Sequence, residues 1–106
     1  MPELTVVAKV RAKPGREADL ERELRAIVAP THAESGCLRY TLHRSLEDPT
    51  LFITIERWVS KEAIDKHFGA PHIQSLLKKA GELLAAPPEI LVFELLPEGQ
   101  PDKGRI

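Results

Sequence analysis

A chain of 106 residues, 42% hydrophobic and 29% charged, has the composition of one ordinary globular domain and no room for a separate cofactor-binding module. Its net charge is −1 with acidic and basic residues interspersed, so it carries no electrostatic footprint for nucleic acid. The single cysteine, Cys37, excludes an intramolecular disulfide and any multi-cysteine metal or iron–sulfur centre.

Leu4 to Ala12 alternates, with Leu4, Val6, Ala8 and Val10 on one side, and predicts a half-buried strand ending at the Lys13-Pro14-Gly15 turn. From Arg16 the period becomes helical, with Leu20, Leu24, Ile27 and Val28 on the apolar stripe and an i,i+4 pair of Glu21 and Arg25 outside. Pro30 ends or kinks this helix. Cys37 to Arg44 and Leu51 to Val59 predict a hairpin. The register that sets Leu42 against Ile53 and Tyr40 against Ile55 makes one face apolar and puts Arg39 opposite Glu56 as a cross-strand ion pair. Ser60 caps a helix over Lys61 to Phe68 that stops at Gly69, and Pro71 opens a second helical segment with Ile73, Leu76, Leu77, Ala80, Leu83 and Leu84 buried. Pro87-Pro88 breaks that segment. Ile90 to Leu96, nearly all apolar, predicts a central or doubly covered strand.

The order strand–helix–strand–strand–helix–strand is the α+β, ferredoxin-like βαββαβ arrangement with a four-stranded antiparallel sheet. Residues 1–97 form one domain and residues 98–106 a mobile C-terminal tail. Helices cover one sheet face and leave the other too apolar for water, so a homodimer through the sheet faces is expected. No apolar run approaches the ~20 residues of a membrane span, and no leader pattern opens the chain, so no membrane association and a cytoplasmic location are expected.

The chemistry-bearing residues collect between the short strands and the second helical region. His67 and His72 lie five residues apart, off a single helical face, but the Gly69-Ala70-Pro71 break lets both turn toward the sheet. One sits at a helix C-terminus and the other at an N-terminus, positions that favour opposite protonation states and suit acid–base work; alternatively they only cap helix ends. Trp58 and Phe52 read either as an aromatic wall for a flat substrate or as core. Arg39 binds an oxyanion, or simply pairs with Glu56. Cys37 reads as a small buried hydrophobe. His43, Glu56, His67 and His72 match no metal-ligand spacing such as H-E-x-x-H, so no metal and no cofactor are expected.

Together, Gly36-Cys37-Leu38-Arg39-Tyr40, Asp48-Pro49, Phe52, Glu56-Arg57-Trp58, Ala63 and the His67/His72 pair resemble the antibiotic biosynthesis monooxygenase domain, quinol-monooxygenase-like proteins included, over about Leu4 to Leu96. The resemblance implies a dimeric α+β barrel with a cavity between sheet and helices. It implies oxidation of small flat phenolic or quinol-type substrates by O2 without metal or flavin. Under it His67, His72 and Glu56 are the catalytic candidates, and Trp58, Arg39, Thr54, Phe52 and His43 the substrate-binding ones. Thr54 stands where anthrone-oxidising members carry asparagine, a residue this chain lacks altogether, which points away from anthrones. Glu56, His67 and His72 equally resemble a branch that isomerises or processes a small phosphorylated signalling sugar. A non-catalytic dimeric ligand-binding module is the third reading.

Overall fold

A computed structural model describes residues 3–106. Strand β1 (Leu4–Arg11) leads through a turn at Gly15, whose φ of 85° suits a residue without a side chain, into α1 (Glu17–Ala26). The predicted kink is a break at Ile27. Pro30 lies in the first turn of the next helix, α2 (Val28–His32), where a missing N–H costs no intrahelical bond. Strands β2 (Cys37–Arg44) and β3 (Leu51–Trp58) form the hairpin.

Ser60 caps α3 (Lys61–Gly69) by accepting the Ala63 N–H at 3.2 Å. That helix does not end through a left-handed glycine. Ala70 is extended (φ −68°, ψ 147°) because the following Pro71 excludes helical backbone from the residue before it. Pro71 then starts α4 (Pro71–Lys78), and the short α5 (Ala80–Leu83) and β4 (Glu89–Glu94) complete the fold. Among the described residues no helix is long and apolar enough to cross a membrane.

The four strands form one antiparallel sheet in the order β2-β3-β1-β4, the ferredoxin-like α+β arrangement expected. Leu77, expected on the buried stripe, is 43% exposed. Two expectations about the sheet are also corrected. The first is the hairpin register: Tyr40 pairs with Glu56, Leu42 with Thr54 and Arg39 with Arg57. A shift between Cys37 and Arg39 supplies one extra residue, so Cys37 still pairs with Trp58 while everything beyond it slips by one. The register expected from the sequence assumed that like residues share a face. In fact β3 turns Phe52, Thr54, Glu56 and Trp58, all buried, toward the helices, and Ile53 and Ile55 toward the open face.

The second correction concerns the last strand, which is an edge and not a central strand. Ile90, Leu91, Val92 and Phe93 are between 39% and 53% exposed, so its apolar run is uncovered on both sides within one chain. The C-terminal segment reaches back to the sheet, where the Ile106 carbonyl accepts from Arg57 at 3.0 Å; Arg57 also pairs with Glu3.

The core lies between sheet and helices in two clusters. One gathers Val6, Ile27, Tyr40, Trp58, Ile64 and Ile73, and the other Ala12, Leu20, Leu24, Phe52 and Leu83. Phe52 and Trp58 belong to different clusters, and the inward positions of β3 between them are Thr54 and Glu56. An interior built only for stability would place apolar residues there, since a buried carboxylate is costly.

Candidate active site

Strand β3 delivers three polar groups in a row because its inward residues are spaced by two. Glu56, 3% exposed, accepts from the Thr54 hydroxyl at 2.6 Å and from the Trp58 indole N–H at 2.8 Å, one donor to each carboxylate oxygen. Burial drives the Glu56 carboxyl above its ordinary pKa, and the two hydrogen bonds and the nearby His67 only partly oppose this. Across the hairpin, Tyr40 is buried at 5% exposure, and its phenol is pushed far up by burial first and by the Glu56 charge second.

His67 enters from the last turn of α3. It is 3% exposed and packed among rings: Trp58 at 4.6 Å, Phe68 at 5.3 Å and Tyr40 at 5.7 Å between centroids. The extended Ala70 turns the chain so that His72, in the first turn of α4, comes within 6.1 Å of the His67 ring.

What joins the two histidines is Glu34, on the connection between α2 and β2. His67 Nδ1 and His72 Nε2 both donate to the same Glu34 oxygen, at 2.8 and 2.9 Å. A carboxylate oxygen only accepts, so each bonded nitrogen carries a hydrogen, and in a neutral ring the lone pair then lies on His67 Nε2 and His72 Nδ1. Glu34 also lies near enough to Cys37 to add to the burial that raises its thiol.

The site therefore unites Glu56, Trp58, Thr54, His67 and His72, and adds Glu34, which the spacing of residues did not single out, and Tyr40, which the expected register placed opposite Ile55 on the apolar face. Trp58 is fully buried and has no free face for a substrate; its place is to hold Glu56 and back His67. Arg39 does not meet Glu56. It is exposed, pairs across from Arg57, and bonds the adjacent Leu38 carbonyl. The one-residue slip puts Arg39 on the open face and Glu56 on the helical face, so the expected ion pair does not form. His43 is exposed too, bonded to Thr41. Phe52, in the second core cluster, joins His43 in lining a cleft of about 520 Å³ whose apolar floor is Val28, Leu42 and Phe52 and whose rim carries Glu21, Arg25 and Arg44. Leu42 faces Thr54 across the hairpin, so the cleft floor adjoins the polar row.

The model of the antibiotic biosynthesis monooxygenase family matches residues 3–79. The chain belongs to that family. PA3566 from Pseudomonas aeruginosa is similar in structure at a TM-score of 0.86 and 38% identity, over 91% of this chain and 96% of that one. Rv0793 from Mycobacterium tuberculosis follows the same course at a TM-score of 0.84 and 33% identity, over 92% of this chain and 99% of its own. A solved antibiotic biosynthesis monooxygenase superposes at a TM-score of 0.83 with 26% identity, over 89% and 99% of the two chains.

Proposed function

We propose that this chain is a cofactor-independent monooxygenase that oxidises small, flat phenolic or quinol-type substrates with O2. The observation that carries the reading is the buried polar row Thr54–Glu56–Trp58 set against His67, whose Nδ1–H is held by Glu34. A carboxylate that fixes one imidazole nitrogen leaves the other poised as a base, the logic by which a hydrogen-bonded acid orients a catalytic histidine. Deprotonating a phenol gives an electron-rich phenolate, the form that donates an electron to O2. Oxygenating a phenol to a quinone consumes one O2 and releases one water, so the substrate supplies all four electrons and no external reductant is needed. His67 is the base and returns the phenol's proton to the reduced oxygen, Glu34 and Trp58 position it, and Glu56 assists by holding the Trp58 indole and the Thr54 hydroxyl in place. The 520 Å³ cleft is the proposed entrance, with Phe52 and Leu42 bordering the ring and Thr54 across the hairpin from Leu42, between the cleft and the polar row.

The test is O2 consumption with a panel of naphthols and menadiol, with isotope-labelled O2 to follow oxygen into the naphthol-derived quinone. Label incorporation and loss of about 10²-fold or more in kcat on His67→Ala are expected. No acceleration over the spontaneous rate across the panel would overturn the reading. Retained binding with no turnover would instead indicate a ligand-binding module.

The open sheet face carries Val7, Ile53, Ile55, Leu91 and Phe93 together, and a second copy of the chain is the proposed cover.

A further inference from the structure

We propose that Glu34, His67 and His72 form a binding site for a divalent transition-metal ion of the zinc type. One ligand-capable atom from each lies within 4.8 Å of the other two. Two imidazole nitrogens and one carboxylate oxygen are the donor set that borderline cations such as zinc prefer, and that magnesium and calcium, which seek oxygen, do not.

The geometry is close to that of a filled site. The histidine nitrogens stand 2.8 and 2.9 Å from a shared oxygen, whereas tetrahedral ligands on ~2.0–2.1 Å bonds sit roughly 3.3 Å apart. Lengthening the two oxygen–nitrogen edges by about half an ångström brings them to that spacing, a shift within one glutamate side-chain adjustment. Each ring must then present a lone pair where it now presents N–H, so its proton moves to the opposite nitrogen or leaves. The ring packing that fixes His67 supplies the rigidity a metal ligand needs. The side chains of His72 and Glu34 are 18% and 17% exposed, against 4% for His67. The site is thus closed on the His67 side and open on the other, where water completes the coordination.

The three ligands come from the α2–β2 connection, the end of α3 and the start of α4, so a bound ion would clamp these segments together. Resting on the proposed oxidation, it would also engage both histidines and act as a reversible brake on turnover.

Chelator-treated full-length protein is titrated with ZnCl2 and, separately, MgCl2 by isothermal calorimetry, and the thermal midpoint is followed in parallel. One zinc per chain, a raised midpoint with zinc and no response to magnesium are expected. Glu34→Gln and His72→Ala should each weaken zinc binding about tenfold or more, while His43→Gln leaves it unchanged. Absence of saturable zinc binding, or binding that survives both substitutions, would overturn the proposal. Neither readout requires turnover, so a failed oxidation assay leaves the result intact. If turnover exists but zinc binds without slowing it, the brake alone is lost.

Discussion

Replacing Glu34 by alanine removes the acceptor that His67 Nδ1 and His72 Nε2 share. His67 is 3% exposed, so its N–H is left with no protein acceptor and little access to water, and an unsatisfied buried donor costs about 1–3 kcal/mol. His72 is more open and rehydrates, adding little. A loss of about 2 kcal/mol lowers the melting temperature of a domain near this size by roughly 8–16 °C. Glutamine behaves differently, because a single oxygen accepts both bonds and the amide carbonyl can replace it; only the charge assistance is lost, at about 1 kcal/mol or less. Thermal and urea denaturation of the three proteins, in chelator, measures the contrast. Equal destabilisation by alanine and glutamine, or an alanine loss below about 0.5 kcal/mol, would refute the shared-acceptor account.

Glu56→Gln tests the buried carboxylate. Burial raises the folded-state pKa above the ordinary 4.5, so ionised Glu56 weakens the fold above the folded pKa, and the penalty fades as pH falls through that value toward 4.5. Glutamine keeps both bonds by donating to Thr54 and accepting from Trp58. Urea titrations should therefore find it at least as stable as the parent at pH 8, with the parent gaining relative to it on acidification; a glutamine deficit that grows on raising the pH would contradict this. Gly36→Ala should destabilise by about 1–3 kcal/mol, since its Cβ would collide with that of Ala63 and press Val59 Cγ2 at 3.3 Å, and Ala63→Gly should restore much of the loss in a double-mutant denaturation cycle. Phe93→Lys, on the exposed edge strand, should shift sedimentation from dimer to monomer at micromolar concentration; a parent that already sediments as a monomer would remove the dimer reading.

Several elements were readable from local pattern. The alternation in β1, the Ser60 cap and the Pro71 helix start each depend on a few neighbouring residues, and each stands where expected. The Glu56–Trp58 strand and the histidine break were also visible, and the structure brings Thr54, Glu56, Trp58, His67 and His72 to one side of the sheet. Arg39 was not placeable, because the irregularity beside it inverts the face of every later residue in β2 and leaves no composition signal. Glu34 gave no signal either. Between a helix and a strand it reads as one more solvated carboxylate.

Periodicity, caps and proline geometry are short-range physics, so the sequence by itself determined the element order and the α+β class. The tertiary structure decided which face Glu56 takes, that β4 is an exposed edge, and that a glutamate 33 and 38 residues away from two histidines is their common partner. Those outcomes depend on strand register and on helix packing over the sheet, which arise only when distant segments meet.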